Sequence, residues 1–481
     1  MCDGCTRRQF LGNSAGALGA GLFAAKYLRA GSNQETDRPT EPMPKVRICA
    51  ILTGQPMTGR SWSLCEGDVP VLHEKLAQIE QKLGNIEFVV GHANNAAEAA
   101  PLLEQAGPDA PVLAINVGMW ALQNVMKLVM EQQRPTIVFA SPGTGHEWMY
   151  PFRWQRRGAP VTLMPSSDYQ ELERAARLLR VGPMLRHSRV LLALPAQGTT
   201  AACDPDLVKE KLGVDVITLP PDRFDERFEA VNDAAAEAEA QRWLDEARQV
   251  VEPSHDDVLR AARASLAMDQ IIAEEHAQAI AVGGCMGWLK RGFPCLGFTR
   301  LRDRGIPAVC EGDMDSLWTM LIFQYAFDLP GFQGNNYFDT AKNACWTAHC
   351  TGALKMDGID GPAAPYLLRG HSEIGNDGAV PEVLYRIGQE ITRAKLVNLE
   401  HLLISTGKII EVPEKSIRAC RTQLCSQVKD AEQMVLNWGG GVLEHTEDAM
   451  TLLHRVVYYG DHSSSLRHLG RLMNIQVIEE G

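Results

Sequence analysis

"VRICAIL" (Val46–Leu52) is a short β-rich apolar run, and its neighbours decide how it is read. Similar runs follow at residues 86–93 ("IEFVVGHA"), 111–117 ("PVLAINV") and 135–142 ("PTIVFASP"), with helical patterns near 68–83, 96–105 and 119–132 between them. Strands that alternate with helices predict a parallel βαβ domain. A second series repeats the rhythm: "RVLLALP" (189–195), "VDVITLP" (214–220) and "QAIAVGG" (278–284), separated by helical stretches that include 224–248 and 256–276. After residue 304 the texture changes. One helical pattern over 315–327 precedes "GFQGNNYFD", "NACWTAHC", "KIIEV" and "VVYYG", spaced by Gly, Asn and Asp turns. The expected fold class is α/β: two tandem doubly wound parallel domains, 45–165 and 166–303, followed by a strand-rich mixed domain over 304–481. Neither α/β unit carries a G-x-G-x-x-G or Walker-type loop, so the fold alone assigns no nucleotide.

The 481-residue chain is 45% hydrophobic, enough for a large core. A net charge of −12 without a basic cluster argues against nucleic acid. At the N-terminus, Arg7 and Arg8 precede Phe10-Leu11 and a weakly apolar run over 15–25, the layout of a twin-arginine export signal. Residues 1–44 are therefore expected to be signal and linker. The protein would be exported to the periplasm or anchored on the outer side, touching membrane only through that signal. Beyond it, no stretch reaches the ~18 apolar residues of a membrane helix. Twelve cysteines in a chain of this length are not disulfide-scaffold density. Several sit inside apolar runs, as Cys49 and Cys310 do, and read as buried thiols. Cys2 and Cys5 form a C-x-x-C pair ahead of the signal, without a second pair at zinc-finger spacing.

Three polar groups of the last third lie beside strands: Glu311 in "PAVCEGDMDSLWTM", His349 in "AHC", and His454 in "LHRVVYYGDH". Singly, each has an ordinary explanation as a helix-end acid, a core histidine or a surface histidine. Asp313 or Asp315 suits the positive end of the following helix. Together, carboxylate oxygen and imidazole nitrogen suit manganese (Mn2+) or a similar divalent ion. If the two strands flanking Thr340–Asn343 form a hairpin, Asp339 pairs with Ala344 and Asn335 faces Ala348. Asp339 then lies about 13 Å from the ligand level, at ~3.3 Å per residue.

The run "GIPAVCEGDMDSLWTMLIFQYAFDLPGF", the hairpin ending in "AHC", "CRTQL" at 420–424 and the closing "LHRVVYYGDHSSSLRHLGRLMNIQV" resemble the L-fucose isomerase and L-arabinose isomerase superfamily. The resemblance covers the body of the chain. It implies a metal-dependent aldose–ketose isomerase acting on a small-molecule sugar through an enediol, assembled as a trimer or hexamer. Carried over, it makes Glu311 a manganese ligand and acid/base, and His349 and His454 ligands. The family's second carboxylate belongs where this chain has Gly334-Asn335, so Asn335 becomes the expected fourth ligand. Asparagine can offer an oxygen but cannot take a proton. Two expectations follow: Asp339 reaches in through another register and serves as the second catalytic carboxylate, or the chain is a non-catalytic or altered sugar-binding descendant. Trp62 and Trp288 are candidates for stacking on a sugar. His371 and Glu373, in "RGHSEIGNDG", are candidates to line the same pocket.

Overall fold

The computed structural model describes residues 43–480 except 58, 59, 65, 66, 417 and 444–448. The export signal and almost all of the linker expected over 1–44 lie outside the described residues. Among the described residues, no helix is long and apolar enough to cross a membrane.

The first sheet contains β1 (Val46–Thr53), β2 (Ile86–His92), β3 (Val112–Asn116), β4 (Thr136–Ala140) and β5 (Val161–Pro165), all parallel in the order β2-β1-β3-β4-β5. Every residue of β3 and β4 is buried, as expected of central parallel strands with helices on both faces. The second parallel sheet is shorter. It has β6 (Arg189–Ala193), β7 (Asp215–Thr218) and, after the two-residue β8 (Gln249–Val250), β9 (Ala279–Val282) and β10 (Ala308–Val309), in the order β10-β9-β6-β7. Helices flank both sheets, so the chain is a tandem α/β protein up to this point.

The remainder is rich in strands. β11 (Phe332–Asp339), β12 (Ala344–His349), β15 (Glu390–Val397), β16 (His401–Glu411), β17 (Thr422–Gln427) and β18 (His454–Tyr459) pair antiparallel in the order β15-β18-β11-β12-β17-β16. A further β15–β16 pairing closes the six into a ring, and β19 (Gln476–Glu479) adds to β16 in parallel. β13 (Tyr366–Arg369) and β14 (Val380–Val383) form a side ribbon with β8. The mixed α/β class is thus observed, with a closed antiparallel ring where the sequence predicts only scattered strands.

One helix, Met314–Phe327, joins the parts. All of its residues except Gln324 and Phe327 are buried, and an all-round buried helix belongs at the centre of a large core. Leu317, Trp318 and Leu321 share one core with Ile115 and Phe139 of the first sheet and Val456 and Tyr458 of β18. Burial of each such side chain contributes roughly 1.5–3 kcal/mol. Asp313 caps this helix, its side chain accepting from the Ser316 N–H at 3.0 Å.

Candidate metal centre

The chain between β10 and the central helix makes a sharp turn through Glu311 (φ 61°) and Gly312 (φ 68°). A Cβ at Gly312 would stand 2.2 Å from the Pro195 carbonyl oxygen, so only glycine fits. The Gly312 N–H donates to the Val282 carbonyl and its own carbonyl accepts from the Gln197 N–H, both at 2.9 Å. That clasp holds Glu311 in a conformation that costs a non-glycine residue on the order of 1 kcal/mol. Glu311 thereby leaves the carboxyl ends of β9 and β10, where open α/β sheets place their ligands.

His454 approaches from the other side as the first residue of β18, fully buried. Its Nδ1 lies 2.9 Å from Asp313 Oδ2, and its Nε2 lies 3.5 Å from Glu311 Oε2. Lys395 Nζ, fully buried on β15, donates to the same Asp313 oxygen at 3.0 Å. Burial alone would raise the Asp313 carboxyl, but Lys395, His454 and Ser316 hold it well below the usual carboxylate range. His454 Nδ1 lies between Asp313 Oδ2 and Gln333 Nε2, the latter 3.1 Å away; in the tautomer that donates Nδ1–H to Asp313, the Nε2 lone pair faces Glu311. A carboxylate behind an imidazole is the usual support of a metal-ligating histidine.

Two acceptors then face each other, and more unpaired groups surround them. His349, 1% exposed at the end of β12, has no hydrogen-bond partner on either ring nitrogen; its ring centroid is 5.2 Å from that of His454. His454 Nε2 and Asn335 Oδ1 also lack partners. Asn335 sits on β11, directly opposite His454 on one side and Ala348 on the other. The Cys310 thiol, the Glu311 carboxylate and a His349 ring nitrogen lie within 4.8 Å of one another. A buried polar atom without a partner costs about 1–3 kcal/mol, and a cation here could be met by one nitrogen of His349, His454 Nε2 and Asn335 Oδ1. Burial raises the Glu311 carboxyl, against the pull of His454, and burial together with His454 pushes His349 well below 6.5. Carboxylate, amide oxygen and imidazole nitrogen are donors that divalent ions take, and the Cys310 thiol beside them adds a softer one.

Other expected residues fall elsewhere. The hairpin register pairs Asp339 with Ala344 and Asn335 with Ala348. Asp339 therefore stays at the turn, where it accepts from the Lys342 N–H at 3.2 Å, and the site level of β11 offers only Asn335. Trp288 packs on Phe224 in the second domain's core, centroids 4.0 Å apart, so this tryptophan is structural rather than a sugar platform. Trp62 stands on the loop after β1, 41% exposed and beside His146. His371 is buried against Phe293, while Ser372 and Glu373 join Asn335 and Ala348 around a cavity of about 510 Å³. A larger cleft of about 920 Å³ near Arg467 and Glu400 shares none of these residues. Missing from the sequence reading are Lys395, the second role of Asp313, and Gln333, whose amide is held by both backbone groups of Cys310 at 3.0 and 3.2 Å. Lys395 is 82 positions from its partner, so no local pattern could have paired them.

No family model and no curated protein matches the chain. Among solved structures it is similar to one described as a two-component system response regulator/GGDEF domain protein, with a TM-score of 0.25 and 12% identity over 57% of this chain and 96% of that one. A likeness of that size carries no argument about fold or function.

Proposed function

We propose that the protein is a metal-dependent sugar isomerase that interconverts an aldose and its ketose, with Glu311, His349, His454 and Asn335 holding manganese or a similar ion. The observation that carries this reading is the set of buried, partnerless ligand atoms at His349, His454 and Asn335 around the Glu311 carboxylate. A divalent ion bound there would polarise the substrate carbonyl and its neighbouring hydroxyl. Glu311, raised by burial, suits proton exchange with a sugar carbon near neutral pH. It would take the proton from C2 of the open-chain aldose and return it to C1. The hydroxyl proton that must move from O2 to O1 needs a second group, and Asn335 cannot carry it. Glu373 lines the adjoining cavity and raises Glu311 through its charge, which makes it the nearest spare carboxylate. The resemblance to the isomerase superfamily agrees with this reading and also suggests a homo-oligomer, while the Arg7-Arg8 pattern suggests an exported location.

The amide at position 335 favours a second reading, a sugar-binding descendant without turnover. Incubating purified, manganese-loaded protein with pentoses, hexoses and 6-deoxyhexoses in D2O separates the two. Ketose formation with deuterium entering at the reacting carbon is expected for the isomerase. Sugar binding without exchange across the panel sinks it in favour of the second reading, and activity gained by Asn335→Asp would locate the defect at that amide.

A further inference from the structure

A second group of ligating side chains lies outside that centre. Cys295 opens the helix Cys295–Asp303, Cys350 follows β12, His371 follows β13 and Cys420 precedes β17. Cys295, Cys350 and His371 offer ligand atoms within 4.8 Å of one another. The Cys420 thiol neighbours that of Cys350, and its Sγ lies 3.7 Å from Glu373 Oε1. All four are at least nine-tenths buried, and none of the cysteines is in a disulfide. Three thiols and an imidazole, without an oxygen donor among the four, form a softer set than the Glu311 centre.

We propose that Cys295, Cys350 and His371, whose ligand atoms already lie together, form the core of a site for a thiophilic divalent cation, zinc by its ligand set, with Cys420 beside Cys350 closing in as the fourth ligand and stapling the wall of the 510 Å³ cavity. Four segments distant in sequence meet there, and Ser372, Glu373, Ala419 and Cys420 of that wall lie on or beside its ligands. Binding would release three thiol protons and leave three thiolates, one neutral imidazole and the cation, a net charge of −1. Arg421 stands next to Cys420 with its guanidinium fixed on the Gly370 carbonyl at 2.8 Å, and its charge is coupled to Cys420. It offsets that residual charge. A neutral imidazole keeps one lone-pair nitrogen in either tautomer, so His371 can complete the set.

The test is zinc analysis of the purified full chain, together with cobalt(II) replacement read by the sulfur-to-cobalt charge-transfer absorption. The expected result is about one zinc per chain, a charge-transfer band after cobalt loading, loss of both in Cys350→Ala, and retention of both in Cys310→Ala, whose thiol belongs to the other centre. If Cys350→Ala does not fold, thiol titration of the unaltered protein decides instead: three thiols should become reactive only as a chelator removes the zinc. No zinc and no band, a band abolished by Cys310→Ala alone, or thiols equally unreactive with and without chelator would each overturn the site. Sugar turnover is not part of the readout, so its absence would leave this site standing.

Discussion

The first parallel sheet and the closing antiparallel ring solve burial in opposite ways. In β1–β5 the buried polar residues are uncharged: Thr53, Asn116, Thr136 and Thr162. The ring buries Arg393, Lys395, His349, His454 and Arg455, and encloses the Lys395–Asp313 and Arg455–Glu480 ion pairs, whose side chains are all fully buried. The sheet's stability therefore comes from dispersion and the hydrophobic effect, whereas the ring depends on each charge meeting its partner. The difference teaches where chemistry can reside. A polar core positions ionised groups rigidly, and Asp313 uses one such pair to orient His454.

The largest effect should come from breaking a pair in the ring. Lys395→Met leaves Asp313 buried beside His454 without its cation, and is expected to cost about 3–5 kcal/mol in urea denaturation. Ile115→Val in β3, a change of one methyl, should cost only about 0.5–1.5 kcal/mol. Adding Asp313→Asn to Lys395→Met should recover part of the loss. Equal costs for the Lys395 and Ile115 variants would erase the contrast.

A smaller stability change, with a large functional one, is expected at His349. Because neither ring nitrogen has a partner, His349→Phe should alter apo stability by no more than about 1 kcal/mol. Manganese should raise the unfolding temperature of the unaltered protein and leave that of the variant unchanged. A variant that unfolds without metal, or that still responds fully to it, would show that His349 is a core residue rather than a ligand.

A pH-dependent effect lies where the two regions touch. His468, on the helix Ser463–Met473, meets Thr162 Oγ1 of β5 at 2.7 Å and is pushed down to about 4, chiefly by burial, with Arg174 and Arg467 adding to it. Between pH 6.5 and 4 the unfolded chain binds this proton and the folded one does not. Its contribution to stability is therefore present above about pH 6.5 and lost as pH falls towards 4. In His468→Gln the slope of urea midpoint against pH over this window should flatten; an unchanged slope would assign it to other groups.

Much of the architecture was legible because apolar strands and amphipathic helices carry their own period. The runs beginning at Val46, Ile86, Arg189 and Gln278 are strands within two residues of their expected limits, and the helix over 68–83 is where its pattern places it. β15 was not legible: "EITRAKLV" turns Arg393 and Lys395 into a closed ring, so its charges argue for a surface strand when read alone. β5, "VTLMP", is as long as β3 and β4 but has a single β-branched apolar residue and ends in Pro165, so its strand signal was weak. At the centre, Glu311, His349 and His454 stood out through their chemistry and position beside strands. The hairpin register that keeps Asp339 at its turn also followed from loop length. The thiol cluster had no such signal, since its four residues come from distant segments without a C-x-x-C spacing.

The sequence by itself determined the alternation of strands and helices and the hairpin register that sets Asn335 opposite Ala348. These depend on neighbours within a few residues, where backbone sterics and side-chain period act. Tertiary structure alone decided that the six antiparallel strands close into a ring, that Lys395 and Asp313 neutralise each other, and that Cys295, Cys350, Cys420 and His371 meet. Electrostatic and ligand-type contacts act between side chains at a few ångströms whatever their separation along the chain, so only the folded backbone selects which of them are made.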